Sequence, residues 1–220
     1  MSDRSGARIS PWWMVAPAAL FVLNFVLALF IKQPDQTNEV YQPGIILGTA
    51  GLDLALIAYV VVAAVVSHVD VRSTLALRRP DMPAAAKLAA ALVVAVIAVN
   101  LVADGLTNAS VKQGIAPTHD PRTHGQWVAL VIALVALIVV APVAEEFVFR
   151  GLAFATLGRY SLVASAALFA VAHGMAVLLV PVFLAGLALG YARQRTGSLY
   201  TGMAMHMTLN AIALVAALLT

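Results

Sequence analysis

Two adjacent carboxylates, Glu145 and Glu146, are followed by Arg150 in a stretch of the chain that is otherwise strongly apolar. Charge is costly to place in hydrocarbon, so an ionisable residue inside an apolar span marks a candidate functional site. Successive side chains on a helix point about 100° apart, so the two carboxylates cannot do the same work. Glu146 precedes Arg150 by four residues, the favoured spacing of a helical ion pair. Glu145 is therefore the freer carboxylate.

Three further polar side chains lie in the apolar segments that follow. His173 comes four residues after Phe169, and His206 and Asn210 share one helix face at a spacing of four. Groups of these types can activate a water and stabilise an oxyanion, which are the two requirements of hydrolysis at a carbonyl. Glu145 with His173 can hold the water, while His206 and Asn210 can supply two donors. Counted from the ends of their spans, all of these residues lie at similar depth, so we expect them to meet.

The helices that position these residues follow from the composition. Of 220 residues, 62% are hydrophobic and 10% are charged, whereas soluble domains carry about 25% charged residues. The sequence predicts an all-α polytopic membrane helix bundle, a single membrane domain over 1–220. A span needs roughly 20 apolar residues, which predicts about seven transmembrane helices, at 12–31, 45–67, 86–103, 127–149, 160–179, 180–194 and 198–219. Pro142 should kink the fourth span and free a carbonyl one turn earlier.

The charges predict how the chain sits in the membrane. With the N-terminus inside, ten of the thirteen Lys and Arg residues lie on the cytoplasmic side, as the positive-inside rule requires. The chain has ten Arg and three Lys together with much Ala and Val, a usage typical of GC-rich bacterial or archaeal coding. It predicts a prokaryotic cytoplasmic membrane. The net charge of +3 is spread over short loops, so we expect lipid and a peptide or protein as partners, and no nucleic acid. The oligomeric state is not predicted. The absence of cysteine excludes thiolate sites.

The three motifs together resemble those of the CAAX-protease and bacteriocin-processing (CPBP, or Abi) family. They are Glu145-Glu146-x-x-x-Arg150, Phe169-x-x-x-His173 and His206-x-x-x-Asn210, in that order. The segment "FLAGLALGYARQRTGSLYTGMAMHMTLN" is also similar to the family's last two helices. The resemblance covers about 126–215, whereas the three N-terminal helices within 1–125 match only as generic membrane spans.

The resemblance implies an intramembrane endopeptidase acting on a membrane-associated peptide. Cleavage after a prenylated cysteine, processing of a leader peptide and bacteriocin self-immunity are all open. Glu145, His173, His206 and Asn210 are the expected catalytic residues, while Glu146 and Arg150 are expected to have a structural, orienting role.

The cofactor remains unknown, and two mechanisms are open. Zinc is the possible metal, with Glu145, His173 and His206 as candidate ligands, because two His and a carboxylate form a catalytic zinc set. A metal-free water activated by Glu and His is slightly preferred, because a metal would make the donor pair of His206 and Asn210 less necessary.

Two rival functions fit the same residues. A non-catalytic membrane scaffold or partner protein of the same fold need not keep the full motif set, and a transporter would more often show inverted repeats. The other intramembrane polar residues are expected to make interhelical hydrogen bonds or to lie at the membrane interface; they are Asn24, Asp53, Asn100 and Asp104. The Gly186-x-x-x-Gly190 pattern predicts close helix packing.

Overall fold

The computed structural model describes residues 8–30, 43–107 and 123–219. Within these ranges every regular element is helical. The elements are α1 (Val15–Phe30, after a 3₁₀ turn at Pro11–Met14), α2 (Pro43–Val66), α3 (Val71–Thr74), α4 (Met82–Thr107), α5 (His124–Thr156), α6 (Ser161–Ala172), α7 (Leu179–Thr196) and α8 (Leu199–Leu219). The prediction of an all-α polytopic helix bundle is confirmed.

Five of these helices are long and apolar enough to cross a membrane. They are Pro11–Phe30, Ile46–Val66, Met82–Val102, His124–Thr156 and Leu199–Ala216. The predicted spans 160–179 and 180–194 correspond to shorter or more polar helices, α6 and α7. The α6 helix ends at Ala172 because Gly174 adopts a left-handed φ of 70°, and a 3₁₀ turn at Ala176–Leu178 follows. The chain therefore re-enters the bundle directly after His173.

The α5 helix carries the carboxylate pair and is not a regular α-helix. Two π-helical segments, Ala136–Val140 and Phe147–Leu152, flank a short α-helical segment, Ala141–Glu146. Pro142 was expected to kink or break the helix, but the chain continues through it as part of this alternation. Widened π turns are frequent at functional sites, and here they lie on both sides of the two glutamates.

The α6 and α7 helices pack closely because small residues line their contact. A methyl group added at Gly186 would lie 3.0 Å from the Ala166 Cα, and one at Gly190 would lie 2.7 Å from a Leu162 methyl carbon. The close approach predicted from the Gly186-x-x-x-Gly190 pattern is confirmed. This contact brings the Gly186 carbonyl towards α5, where it takes part in the site.

The loop between α3 and α4 is joined to the turn between α7 and α8 by three hydrogen bonds. Arg78 Nε donates to the Gly197 carbonyl at 2.6 Å, and the Ser198 hydroxyl donates to the Arg78 carbonyl at 2.5 Å. The Leu199 N–H donates to the Ala76 carbonyl at 2.9 Å. We call this set the 76–199 clasp.

Candidate active site

The centre of the site is a fully buried ion pair on α5. Arg150 Nη1 donates to Glu146 Oε1 at 2.9 Å, and both side chains have 0% exposure. Arg150 Nη2 donates to the Gly186 carbonyl at 2.9 Å, and its guanidinium lies 4.4 Å from the centre of the Phe169 ring. One charged partner, one carbonyl and one aromatic face thus compensate a buried arginine, which anchors α5 to α6 and α7.

His206 lies between the two adjacent carboxylates. Its Nε2 is 3.6 Å from Glu145 Oε2, and its Nδ1 is 3.4 Å from Glu146 Oε1. The imidazole is 5% exposed, whereas Glu145 is 29% exposed. The different environments of the two glutamates follow from the angle between successive helix positions: Glu146 points at Arg150 in the core, and Glu145 points towards accessible space. Both are within reach of one histidine.

Asp53 on α2 is a site residue that the sequence did not connect to the motifs. This half-buried carboxylate lies close enough to Glu145 for their negative charges to interact. The α2 helix packs on the segment Ala141–Glu146, which brings Asp53 into the same region of the bundle as Glu145. The sequence signal for Asp53 was an acidic residue within an apolar span. It did not connect Asp53 to Glu145, because the two residues are far apart in sequence. Asn24 donates to the Ala172 carbonyl on another helix, and Asn100 donates to the Val96 carbonyl on its own helix. The side chain of Asp104 lies outside the described part of the structure.

His173 sits at the end of α6 with one ring nitrogen fixed. Its Nδ1 donates to the Phe169 carbonyl at 2.8 Å, which leaves Nε2 for another partner. The Phe169 ring is 4.6 Å from the His173 ring and 5.4 Å from the His206 ring, measured between centroids. Phe169 therefore packs against both histidine rings. Within the described ranges, none of the three ion pairs involves His173.

Asn210 binds a backbone carbonyl of α5. Its Nδ2 donates to the Leu137 carbonyl at 3.0 Å. In the π-helical register, this carbonyl would accept from the N–H of residue 142, just as Ala136 accepts from Ala141; Pro142 has no N–H. The carbonyl predicted to be freed by Pro142 is thus satisfied across helices. One of the two Nδ2 hydrogens remains for another acceptor.

Several buried polar atoms of the site have no hydrogen-bond partner within the protein. They are Glu145 Oε2, Glu146 Oε2, Arg150 Nε, Thr201 Oγ1 and His206 Nδ1. Buried polar atoms are normally paired, so such a concentration indicates a place adapted to polar ligands. Thr201 and Gly202 had no recognisable signal in the sequence. Gly202 leaves room for Glu146, because a methyl group there would lie 2.4 Å from Glu146 Oε2.

The residues proposed as zinc ligands do not fit a metal ion in this arrangement. No group of three or more His, Asp and Glu side chains in the described part of the chain could hold one. Glu145 and His206 face each other, whereas His173 Nδ1 is bonded to the Phe169 carbonyl. A zinc site would need all three donors at about 2.0–2.2 Å from one point.

A comparison with protein families identifies the segment that carries these motifs. Residues 127–212 match the model described as type II CAAX prenyl endopeptidase Rce1-like. This range contains Glu145, Glu146, Arg150 and both histidines. Neither the comparison with curated proteins nor that with solved structures found a match.

Proposed function

We propose that the chain is an intramembrane endopeptidase, because residues 127–212 match the model of the Rce1-like type II CAAX prenyl endopeptidases. Its substrate would be a prenylated or otherwise membrane-associated peptide, and Glu145 would activate the hydrolytic water. The observation that carries the proposal is the position of His206, with Nε2 3.6 Å from Glu145 and Nδ1 3.4 Å from Glu146. A scaffold has no need for an imidazole held between two carboxylates.

The proposed reaction begins at Glu145. This carboxylate is the accessible member of the pair, so it would take a proton from the attacking water while His173 Nε2 helps to hold that water. The oxygen of the water then adds to the peptide carbonyl carbon. When the C–N bond breaks, Glu145 would return the proton to the leaving nitrogen, and the products are a carboxylic acid and an amine.

The oxyanion formed in this reaction would be stabilised by His206 and Asn210. Their side chains project from one face of α8, one turn apart. With a proton on Nε2, His206 would donate to the oxyanion, and Asn210 would donate its second Nδ2 hydrogen. Glu146 and Arg150 take no direct part; their buried ion pair would hold α5 in place beside His206.

The most direct test of this activity uses purified protein in liposomes and a farnesylated peptide that ends three residues after the modified cysteine. Mass spectrometry should detect release of the C-terminal tripeptide by the wild type and not by Glu145→Gln. The same peptide without the prenyl group shows whether the lipid is required. An absence of cleavage of either peptide, combined with no change in the membrane proteome between cells making wild type and Glu145→Gln, would contradict the proposal.

A further inference from the structure

Two arginines outside the catalytic motifs lie together at one end of the bundle. Arg193 belongs to the last turn of α7, just before the candidate span Leu199–Ala216. Arg78 lies just before the candidate span Met82–Val102. Arg78 Nε donates to the carbonyl of Gly197, one helical turn after Arg193, so the two positive charges lie near each other. Since both residues lie at the ends of spans, the pair sits at the level of the membrane where headgroups begin.

The position of Arg78 is fixed by the 76–199 clasp. Its Nε donates to the Gly197 carbonyl at 2.6 Å, and its own carbonyl accepts the Ser198 hydroxyl. Gly197 has a left-handed φ of 61°, and the Arg78 guanidinium packs so closely on it that a methyl group there would overlap. The guanidinium therefore cannot leave the α7–α8 turn without breaking the clasp.

Arg193 packs against an aromatic ring of α5. Its guanidinium lies 5.5 Å from the centre of the Phe154 ring, and the side chain is only partly exposed. Its Nε is buried and has no hydrogen-bond partner. None of the three ion pairs among residues 8–30, 43–107 and 123–219 includes Arg78 or Arg193. The partly buried Arg193 thus lies near a second cation, Arg78, and its Nε–H donor has no partner.

This arrangement needs an anion with several acceptor oxygens. Such an anion would neutralise two like charges and accept the buried N–H, which is costly to leave unpaired. The guanidinium fork matches the oxygens of a phosphate better than those of a monodentate acceptor. Basic pockets between membrane helices are known to hold anionic headgroups.

We propose that Arg78 and Arg193 form a binding site for a phosphate group, that of an anionic membrane lipid. The inference does not depend on the proposed peptidase activity, because it rests on residues at the ends of α4 and α7. Its ligand is the phosphodiester of a headgroup such as phosphatidylglycerol, which the membrane supplies at this depth.

The test compares two substitutions that change the net charge equally. Arg193→Gln removes the inner guanidinium, whereas Arg195→Gln removes an exposed one two residues away. Full-length protein is exchanged into detergent with a titrated amount of phosphatidylglycerol, and the bound lipid is counted by native mass spectrometry. We expect Arg193→Gln to bind at least about tenfold more weakly, as for a lost charged hydrogen bond. The control should lose no more than about fivefold, the general effect of one arginine near an anionic surface.

Three further measurements make the result decisive. Thermal unfolding in detergent checks that both variants are folded, and Arg193→Lys should restore only part of the binding because it lacks the fork. Phosphatidylcholine should bind wild type and Arg193→Gln alike. Inorganic phosphate that displaces the lipid from wild type would identify free phosphate as a second source for the same site. Equal losses in the two Gln variants, or no loss in Arg193→Gln, would overturn the proposal.

Discussion

Asn210 on α8 donates a hydrogen bond to the Leu137 carbonyl on α5 at 3.0 Å, at the one level where Pro142 cannot supply the π-helical N–H. A carbonyl that lacks its backbone donor on one helix thus accepts a hydrogen bond from a side chain of another helix. This bond fixes the register of α8 against α5, and with it the distance between His206 and the two glutamates.

We expect Asn210→Ala to cost about 1–3 kcal/mol, because the Leu137 carbonyl is left without a donor. In a Pro142→Ala background residue 142 regains its N–H, so the same substitution should cost less than about 1 kcal/mol. Thermal unfolding of the four proteins measures this coupling. Thr208→Ala is the matched control on α8, since its hydroxyl bonds only to Ala204 of the same helix. Equal costs of Asn210→Ala in both backgrounds would contradict this role of the Asn210 side chain.

The two adjacent glutamates are expected to respond differently to the same substitution. Glu146→Gln should destabilise the protein by about 3–5 kcal/mol, because it leaves the buried Arg150 without a charged partner. Glu145→Gln should leave unfolding near that of the wild type and abolish cleavage. Unfolding in detergent and the prenylated-peptide assay provide both measurements. A folded but inactive Glu146→Gln beside an active Glu145→Gln would reverse the two roles.

Gly202→Ala should disturb the buried ion pair, because the new methyl group would lie 2.4 Å from Glu146 Oε2. Displacing this carboxylate in a packed interior should cost about 1–3 kcal/mol and reduce cleavage, since Glu146 also faces His206. Gly48→Ala in α2 is the control: nothing lies within 4 Å of an added methyl group there. Thermal unfolding should show a gain of about 0.5–1 kcal/mol for the control. A neutral Gly202→Ala would show that Glu146 has room to shift.

Chelation tests the metal-free arrangement of Glu145, His173 and His206. We expect cleavage to continue in a strong chelator, and elemental analysis of the purified protein to find less than stoichiometric zinc. The physical reason is that no group of three or more His, Asp and Glu side chains in the described ranges could hold a metal ion. Loss of activity that is restored by zinc and not by magnesium would make His206 a ligand instead of an oxyanion donor.

Much of the site was predictable from local spacing. The four-residue interval predicted the pair of Glu146 with Arg150, and the missing N–H of Pro142 predicted a freed carbonyl. Both depend only on the geometry of one helix. The residues that complete these contacts lie on other helices, such as Asn210 for the carbonyl and Gly186 for Arg150. Their distances in sequence, 73 and 36 positions, carry no periodic signal.

The membrane spans were predicted less well where the helices are short. Apolarity alone indicated 160–179 as one span, but Gly174 ends the helix through its left-handed backbone. The sequence identifies Asp53 as a polar residue inside a span. Its proximity to Glu145 depends on the packing of α2 on α5, which the sequence does not show. Hydropathy measures how a segment partitions into lipid, whereas these features depend on which helix faces which.

The 76–199 clasp has a consequence for how the protein can be divided. Ala76 and Arg78 lie outside the segment 127–212, yet they hold its α7–α8 turn. We therefore expect that the motif-bearing segment is not a self-sufficient module: expressed as a fragment, it would lack the loop that closes one end and the α2 helix that packs beside Glu145. Co-expression of 1–122 with 123–220 should restore the folded bundle, which neither piece should form alone. This is the behaviour expected of two parts that assemble into one folding unit.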